Sequence, residues 1–410
     1  MGESSRVTTS YSPERPGDIL PGSKESAVQL SIAMPCLNEA ETVGACIEKA
    51  RRSLQTLGVA GEIIIADNGS TDGSAAIAVS LGARVVHVPD QGYGNALMGG
   101  IAAAQGKYII IGDADDSYDF GNLGPFLEKL RDGYDLVMGC RLPEGGGAIL
   151  PGAMPWSHRW LGNPILSRMA RWMFHVPIHD VYCGMRGFTK TLYERLDQRC
   201  TGMEFATEMI IKASVYGEKI GEVPITLHPD GRKSHAPHLK TFGDGWRTLR
   251  FFLMYSPRWL FLVPGLLLVL LGLIGYGLAL PGIRIRGVTF DAHTLLFASL
   301  AILCGYQSIL FAIFTKTFVV SEGLMPEDRR LTRFFAVVNL ERGLAIASAA
   351  VLAGLALLLA AVNQWRLAGF EHLDYAGTMR LVVPGVTLTA LGLQTILSSF
   401  FVSILGMRRR

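Results

Sequence analysis

Hydrophobic residues recur with two different patterns along this chain, and the pattern changes near residue 259. In the first part, short apolar runs alternate with longer stretches in which apolar residues recur at helical spacing. The runs predict five strands, over 28–34, 62–66, 84–88, 108–111 and 135–138. Helices are predicted to follow the first four strands, over 40–57, 73–81, 94–105 and 123–131. Strands that alternate with helices indicate an α/β domain with a largely parallel sheet covered on both faces.

In the second part, four long stretches contain no charged residue. They run over about 260–280, 294–315, 343–365 and 381–407. A helix needs about 20 apolar residues to cross the roughly 30 Å hydrocarbon core of a bilayer, and all four stretches reach that length. A buried helix of a soluble protein rarely stays uncharged for so long. The pattern therefore predicts an all-α membrane domain of four transmembrane helices over residues 259–410.

The segment 241–258 joins the two parts and has a mixed pattern. Its apolar residues recur near helical spacing with arginines among them: Phe242, Trp246, Arg247, Leu249, Arg250, Leu253 and Arg258. This pattern is typical of an amphipathic helix in the headgroup layer of a membrane. The alternative is an amphipathic helix packed on the α/β domain. We therefore assign residues 28–240 to the α/β domain, and residues 1–27, which are polar and rich in Ser, Pro and Glu, to a disordered tail.

Composition narrows the class of protein. Only 18% of the residues are charged and the net charge is +3, so no strong basic excess exists to neutralise phosphates and we expect no nucleic-acid partner. The six cysteines are scattered without CxxC spacing, so the sequence contains neither the pattern of a zinc site nor that of a disulfide framework. They are expected to be free thiols in a reducing compartment.

The basic residues predict the orientation in the membrane. One side of the predicted membrane domain collects Arg247, Arg250, Arg258, Arg329, Arg330, Arg333, Arg342 and Arg408–Arg410. The other side has only Arg284, Arg286, Arg366 and Arg380. Because the side richer in Lys and Arg is normally cytoplasmic, we expect the α/β domain and the C-terminus both to be cytoplasmic. Small membrane domains often associate, so a homo-oligomer is possible.

Polar clusters follow four of the predicted strands. They are Pro35-Cys-Leu-Asn38-Glu39, Asp67-Asn-Gly-Ser-Thr-Asp72, Asp113-Ala114-Asp115-Asp116-Ser117 and Gly139-Cys140-Arg141. Ligands of parallel α/β sheets bind outside the carboxyl ends of the strands, so these clusters are expected along one rim. Several acidic groups close together repel each other unless a cation compensates them.

The spacing of Asp113 and Asp115 fits that requirement. Two carboxylates two residues apart on an extended turn point the same way and offer oxygen ligands to a hard divalent cation. Such a cation, Mg²⁺ or Mn²⁺, shares its coordination shell with substrate phosphates. We therefore predict a metal site at Asp113 and Asp115, with Asp116 and Asp119 as further candidates.

Taken in order, these motifs resemble glycosyltransferase family 2, and most of all its polyprenyl-phosphate branch, which includes dolichol-phosphate mannose synthase and bacterial polyprenyl-phosphate glucosyltransferases. The resemblance covers about residues 28–258. It rests on the first three clusters above and on Asp180-Val-Tyr-Cys-Gly-Met-Arg186-Gly-Phe. It implies a single Rossmann-like nucleotide-diphospho-sugar transferase domain of the GT-A type. Because no Gln-x-x-Arg-Trp occurs, the chain departs from processive polysaccharide synthases.

The resemblance also implies the partners and their contacts. The donor is expected to be a nucleotide sugar of the UDP-glucose or GDP-mannose type, and the acceptor a polyprenyl phosphate in a bacterial cell membrane. The donor is expected to contact Pro35, Asn38, Glu39, Asp67, Asp113 and Ala114. Asp113 and Asp115 match the metal motif of the family, and Asp115 is assigned to catalysis as well.

The expected reaction is an inverting transfer of a hexose. A metal would stabilise the charge that develops on the departing diphosphate. The acceptor phosphate is already anionic near neutral pH, so no strong general base is required. What is needed is a cationic contact that orients it, and Arg141 and Arg186 are the candidates because guanidinium binds phosphate bidentately. The alternative for each arginine is a structural ion pair.

Four further residues have open assignments. Asp180 either orients Arg186 or contacts the sugar, and Glu208 either lines the sugar pocket or is a charge on a helix surface. A basic residue near the end of the α/β domain is expected to contact donor phosphate, and Arg232 and Lys233 are both candidates.

Two other functions stay open. A glycolipid synthase that uses a hydroxyl acceptor would need a positioned carboxylate base, and no Glu-Asp pair occurs in the expected region. A non-enzymatic protein that handles a lipid carrier with a degenerate transferase domain is disfavoured by the intact rim motifs. It is also disfavoured by the lack of an ionisable track through the four spans.

Overall fold

The computed structural model describes residues 28–232, 241–322 and 340–406. Its strands are β1 (Leu30–Cys36), β2 (Gly61–Asp67), β3 (Arg84–His87), β4 (Tyr108–Ile111), β5 (Leu136–Cys140), β6 (Ala148–Ile149), β7 (Arg186–Thr189), β8 (Ile220–Pro224) and β9 (Thr226–Leu227). Seven of them form one sheet in the order β3-β2-β1-β4-β7-β5-β8, and β6 pairs with β9 beside it. The sheet is parallel except for β7, which is antiparallel to both of its neighbours.

Helices connect the strands and cover the sheet. They are α1 (Val43–Leu57), α2 (Ser74–Ser80), α3 (Tyr93–Ala103), α4 (Gly124–Arg131), α5 (Asn163–Phe174), α6 (Lys190–Leu196) and α7 (Glu204–Tyr216). The central strands are buried on both faces, as Ile32, Ile64 and Ile110 show with no exposed surface. This arrangement confirms the predicted α/β fold class, a Rossmann-like domain followed by apolar helices.

Strand β1 extends two residues beyond its predicted end. Cys36 pairs with Asp67 in the register of β1 and β2, so the first two polar clusters begin at the same level of the rim. Pro35 can lie in this strand because β4 pairs only with residues up to Ala33, which leaves the Pro35 nitrogen without a ladder to join on that side. The strand β7 was not predicted, because Arg-Gly-Phe-Thr is short and has no apolar run.

The second part of the chain forms helix α8 (Thr241–Met254) and four longer helices, α9 (Val263–Ala279), α10 (Ala292–Ser321), α11 (Leu340–Leu367) and α12 (Tyr375–Leu405). A short hairpin of β10 (Arg284–Ile285) and β11 (Val288–Thr289) links α9 and α10. The described residues contain four helices long and apolar enough to cross a membrane, as predicted. The tail 1–27, Lys233, and the arginines at 329, 330, 333 and 408–410 lie outside the described residues.

Helix α8 packs on the α/β domain, which is the second of the two alternatives considered for its segment. Phe252 is fully buried, and its ring lies 5.7 Å from that of Phe174 on α5 in an edge-to-face contact. Trp246 and Met254 are 61% and 60% exposed. One side of the helix therefore packs on the α/β domain, and another presents large apolar groups outward.

Glycines allow the long helices to pack in close pairs. A Cβ added at Gly354 on α11 would lie 2.7 Å from the Gly385 oxygen and 2.7 Å from the Thr389 nitrogen on α12. In the other pair, a Cβ at Gly265 would lie 2.8 Å from the Gly305 oxygen. Close backbone approach at small residues is the usual way in which membrane helices associate, since no hydrophobic effect drives them together in lipid.

We predict that Gly354→Ala lowers the stability of the protein in detergent by about 1–3 kcal/mol, because the added methyl group forces two backbones apart. The matched control is Gly277→Ala on α9, where an added Cβ meets nothing within 4 Å. Thermal unfolding of the two purified variants measures the difference. Equal melting temperatures for both variants would contradict the close α11–α12 contact.

Candidate active site

The four polar clusters lie along the rim at the carboxyl ends of the strands. The first two are interlocked by hydrogen bonds between their loops. The Asn38 side-chain oxygen accepts from the Thr71 nitrogen at 2.8 Å, and the Asn38 nitrogen donates to the Ser70 hydroxyl at 3.0 Å. The Glu39 nitrogen donates to the Ser74 hydroxyl at 2.8 Å. Asn38 has φ of 60°, a left-handed conformation that Asn tolerates better than most residues.

Asp67 ends β2 and is buried. One carboxylate oxygen accepts from the Ser70 nitrogen at 3.2 Å, and the other lies 3.1 Å from Nδ1 of His87, at the end of β3. The His87 side chain is 74% exposed. A buried carboxylate therefore faces the rim between two loops, with an exposed imidazole beside it.

Asp113 is held by two residues from other parts of the chain. Its Oδ1 accepts a hydrogen bond from the Tyr93 hydroxyl at 2.9 Å. Tyr93 is the first residue of α3. A Cβ at Gly184 would lie 2.8 Å from its Oδ2, so only glycine leaves room for the carboxylate there. Burial and the nearby charge of Asp115 raise the pKa of Asp113 above its ordinary value. A raised pKa means that the charged form of Asp113 is disfavoured, so a nearby cation would stabilise the ionised pair.

Asp115 and Asp116 point in different directions. Asp115 Oδ1 accepts from both the nitrogen and the hydroxyl of Ser117, at 3.0 and 2.6 Å, which orients the carboxylate. Its Oδ2 lies 3.3 Å from Nη2 of Arg232. Asp116 instead pairs with Lys49 of α1 at 2.7 Å. Asp115 therefore belongs to the rim site, whereas Asp116 anchors the loop to the neighbouring helix.

Arg232 bridges the first and third clusters. Its Nη1 donates to Glu39 at 2.9 Å, its Nη2 to Asp115, and Asp230 pairs with the same guanidinium. Burial opposes its charge, but the hydrogen bonds that it donates to Asp230 and the charges of Glu39 and Asp115 raise the pKa of Arg232 above its ordinary value. A backbone hydrogen bond supports this placement, since the Gly231 nitrogen donates to the backbone carbonyl oxygen of Asp115 at 3.0 Å. Of the two basic candidates, Arg232 is the one that the described residues include.

The two arginines expected to orient a phosphate have protein partners. Arg141 forms a bidentate pair with Asp180, through Nε at 2.7 Å and Nη2 at 2.9 Å, and both side chains are buried. Asp180 therefore orients Arg141 and not Arg186. Arg186 is 1% exposed and donates to the backbone oxygens of Ala206 and Cys183, both at 2.6 Å. The partners of these two hydrogen bonds are backbone oxygens and not a carboxylate, and the charge of Arg186 acts on Asp113, whose pKa it lowers.

Glu208 is neither a surface charge nor part of the rim. It is fully buried and pairs with Lys212 one turn along α7 at 2.7 Å. It also accepts from the backbone nitrogens of Arg199 and Cys200, at 3.0 and 2.9 Å, and from the Tyr255 hydroxyl at 3.3 Å. Its role is to join α7, the loop before it and the segment that leads into the membrane.

Two contacts of the site are not predicted by the sequence pattern. Tyr93 and Gly184 both touch Asp113, although they are distant from it along the chain. Gly184 lies inside a motif that the sequence singled out, so its neighbourhood could be expected. Tyr93 lies in Gly-Tyr-Gly at the start of α3, a stretch that suggests a turn but not which acidic residue the phenol reaches.

The chemistry of the pair Asp113 and Asp115 fits a divalent cation. Both carboxylates offer hard oxygen ligands at the rim. Burial and the charge of Asp115 disfavour the ionised form of Asp113, so a nearby cation would stabilise the pair. Among the described residues, no group of three or more His, Cys, Asp or Glu side chains could hold a metal alone. Two carboxylates that leave other positions for substrate phosphate are the arrangement typical of Mg²⁺ and Mn²⁺.

Comparison with protein families and known proteins shows which family the chain belongs to. Residues 31–197 match the model of glycosyl transferase family 2, and residues 313–406 match that of the glycosyltransferase family 2 C-terminal transmembrane region. The chain is 37% identical over 390 residues to the low-salt glycan biosynthesis hexosyltransferase Agl6 of Haloferax volcanii, which covers 95% of this chain and 92% of that protein. The chain belongs to glycosyltransferase family 2.

Another relative matches a shorter part of this family 2 glycosyltransferase. The dolichyl-phosphate hexose transferase of Haloferax volcanii is 32% identical over 197 residues, which cover 48% of this chain and 81% of that protein. Among solved structures, glucosyl-3-phosphoglycerate synthase from Mycobacterium tuberculosis, in complex with Mn²⁺, UDP and glucosyl-3-phosphoglycerate, is 19% identical with a TM-score of 0.41. The match covers 56% of this chain and 79% of that one. The chain is a membrane glycosyltransferase related to dolichyl-phosphate hexose transferases.

We predict that Asp180→Asn lowers the free energy of unfolding of this glycosyltransferase by about 3 kcal/mol or more, because it leaves Arg141 buried without a counter-charge. The matched control is Asp197→Asn, which removes the partner of Arg199 where both side chains are exposed by about two thirds. An exposed ion pair of this kind contributes little to stability, because water screens it. Chemical denaturation of both variants measures the difference, and equal midpoints would contradict the structural importance of the buried pair.

Proposed function

We propose that this glycosyltransferase transfers a hexose from a nucleotide sugar to polyprenyl phosphate at the cytosolic face of a membrane. One observation carries the proposal. The acidic pair Asp113 and Asp115 lies on the same rim as Glu39 and Asp67, and Arg232 bridges two of these four carboxylates. This rim belongs to a domain that continues into four apolar helices. The two hexosyltransferase relatives support the same reaction class.

The donor nucleotide is proposed to bind between the first two clusters. Asp67 is buried at the end of β2, where a carboxylate can accept hydrogen bonds from a base or a ribose. The loop that holds Asn38, directly after Pro35 and the end of β1, is fixed to the loop after β2 by the hydrogen bonds described above. A preformed loop pair of this kind binds a ligand without a further cost for ordering its own backbone.

Asp113, with the Ala114 backbone beside it, and Asp115 are proposed to hold a divalent cation, Mg²⁺ or Mn²⁺. When bound, that cation supplies stabilisation of the charge on the departing diphosphate. The residues of the chain supply the orientation. Ser117 fixes the Asp115 carboxylate through two hydrogen bonds, and Tyr93 fixes that of Asp113. A fixed orientation means that little reorganisation is needed when charge develops.

Arg232 is proposed to contact the donor diphosphate. In the structure its guanidinium compensates the negative charges of Glu39 and Asp115. Glu39 is also the proposed contact to the ribose, and Asp115 the proposed metal ligand. With a donor and a cation held by those carboxylates, Glu39 and Asp115 would need less compensation from the guanidinium. The guanidinium then lies next to the phosphates, which it binds strongly because its donors match a phosphate in pairs.

The acceptor phosphate needs no general base, since it is anionic near neutral pH. Arg141 is the proposed cationic contact from the rim, and Asp180 positions it. Arg186 is proposed to act indirectly. Its hydrogen bonds to the carbonyls of Cys183 and Ala206 hold the loop whose glycine faces Asp113. The cytosolic face is inferred from the distribution of arginines, and α8 is proposed to lie in the headgroup layer.

The direct test is transfer by the full chain in membranes or nanodiscs. Radiolabelled UDP-glucose, GDP-mannose and UDP-N-acetylglucosamine are offered as donors with Mn²⁺ and polyprenyl phosphate. We expect a labelled polyprenyl-phosphate hexose with one of them, and none when polyprenol or diacylglycerol replaces the phosphate. Transfer to diacylglycerol alone would establish a hydroxyl acceptor, and nucleotide binding without any product would overturn the enzymatic proposal.

We predict that Asp115→Asn reduces hexose transfer by about a hundredfold or more, because charge stabilisation worth several kcal/mol is lost. Asp116→Asn is the matched control, since Asp116 faces Lys49 and has a left-handed backbone that Asn accepts. Initial rates and Mn²⁺ binding followed by electron paramagnetic resonance are measured for both. Retained Mn²⁺ affinity in the Asp115 variant would refute its assignment as a ligand.

We also predict that Arg232→Ala weakens donor binding by about 10- to 100-fold, the equivalent of charge-assisted hydrogen bonds worth about 1.5–3 kcal/mol. Arg232→Lys keeps the charge but not the paired donors, so it should recover only part of the affinity. Calorimetric titration with the nucleotide diphosphate in the presence of Mn²⁺ tests this. An unchanged affinity in the alanine variant would remove Arg232 from the donor site.

A further inference from the structure

A carboxylate that the proposed reaction does not use lies inside strand β8. Glu222 is the third of the five residues of β8, between the buried residues Gly221 and Val223. Its side chain is only 12% exposed. A carboxylate with so little contact to water is normally held by hydrogen bonds from the protein, since leaving it without them is costly. The partners of Glu222 therefore show what it holds in place.

Glu222 binds two consecutive backbone amides of the segment before β7. Its Oε1 accepts hydrogen bonds from the nitrogen of His179 at 2.8 Å and from that of Asp180 at 3.0 Å. Its Oε2 lies 2.8 Å from Nδ1 of the same histidine. Two adjacent amides that donate to one oxygen fix both the position and the direction of the chain. The backbone at Asp180 is thus held by a side chain 42 residues away in sequence.

Asp180 in turn fixes Arg141 through both its backbone and its side chain. The Asp180 Oδ2 accepts from the Arg141 backbone nitrogen at 3.1 Å and from its Nε at 2.7 Å, and Oδ1 accepts from its Nη2 at 2.9 Å. Both side chains are buried, so neither can move freely into another rotamer. Because the aspartate side chain is short, a shift of the Asp180 backbone shifts the carboxylate and, with it, the guanidinium.

Glu222 also contacts the loop that follows Arg141. A Cβ added at Gly145 would lie 3.0 Å from the Glu222 Oε2 and still closer to the Cys140 sulfur. That loop turns back on itself, since the Gly145 nitrogen donates to the Leu142 oxygen at 3.1 Å. The carboxylate of Glu222 therefore lies between the loop after Arg141 and the segment that carries its partner Asp180.

We propose that Glu222 is a positioning residue for the acceptor phosphate: it fixes the backbone of Asp180 and, through Asp180, the guanidinium of Arg141. The inference rests on the proposed function, in which Arg141 contacts that phosphate. In this role Glu222 touches neither donor nor acceptor. It determines the orientation of the guanidinium, on which a paired contact with phosphate oxygens depends. An arginine held in its working orientation also loses less side-chain entropy when the acceptor binds.

Substitutions at residue 222 of the full chain in nanodiscs separate positioning from general stabilisation. We expect Glu222→Ala to raise the KM for polyprenyl phosphate by about tenfold or more, the size of a weakened charge-assisted contact. The dissociation constant of the nucleotide diphosphate with Mn²⁺ should stay unchanged. Glu222→Gln keeps an oxygen for the two backbone amides, so it should restore most of the acceptor KM. The matched control is Glu218→Ala, which removes a glutamate with a 10% exposed side chain just before β8, paired with Arg195 at 3.0 Å.

Hydrogen–deuterium exchange of the same variants tests the inference without any substrate. Glu222→Ala removes the acceptor of the His179 and Asp180 amides, so faster exchange is expected at both. The decisive amide is that of Arg141, which donates to Asp180 and not to Glu222. We expect its exchange to become about tenfold faster or more in Glu222→Ala, because local opening becomes easier. It should stay unchanged in Glu218→Ala.

Three results would overturn the inference. They are an Arg141 amide that exchanges at the same rate with and without Glu222, an equal loss of acceptor and donor affinity in Glu222→Ala, and a glutamine variant no better than the alanine variant. If polyprenyl phosphate is not the acceptor, the unaltered chain already fails in the transfer assay. The exchange rate at Arg141 then still decides whether Glu222 positions that arginine, so the two failures are distinguishable.

Discussion

The constraint on which the site depends is the repulsion between carboxylates at the carboxyl ends of β1, β2 and β4. Glu39, Asp67, Asp113 and Asp115 occupy one rim, and all are largely buried. A buried carboxylate without a counter-charge is costly, so the fold must supply cations or bind them. In the structure Arg232 supplies one, from a segment far away in sequence. The negative charge that remains is what the proposed divalent cation would compensate.

The same rim is mechanically joined to the part of the chain that enters the membrane. Tyr255 donates to Glu208, and Glu208 holds the backbone of Arg199 and Cys200. The next residue, Thr201, accepts from the Asn95 nitrogen at 3.2 Å at the start of α3, where Tyr93 holds Asp113. A contiguous series of hydrogen bonds thus leads from the segment before the first span to the proposed metal ligands. It fixes the acidic pair relative to the segment that leads into the first span.

Packing in the two parts of the molecule follows different physical rules. The sheet of the α/β domain is stabilised by burial of branched apolar residues from water, as at Ile32 and Ile110. Helices α9 to α12 expose leucines and phenylalanines outward and meet each other through glycine and hydroxyl groups. The Tyr276 hydroxyl, for example, lies 2.7 Å from that of Ser299 and 3.1 Å from that of Thr387. In lipid, close backbone contact and polar pairs replace the hydrophobic effect.

The sequence by itself determined the fold class, the four apolar helices and the order of the rim motifs, because these depend on periodicity, length and local spacing. It also determined Asp113 and Asp115 as a pair, since their separation is two residues. Tertiary structure alone decided which partner each charge has. Arg141 pairs with Asp180, Arg186 with backbone carbonyls, and Arg232 with Glu39 and Asp115. The reversed strand β7 likewise depends on pairing with strands distant in sequence. Such contacts join residues far apart along the chain, and one sequence without its folded geometry contains no local signal of them.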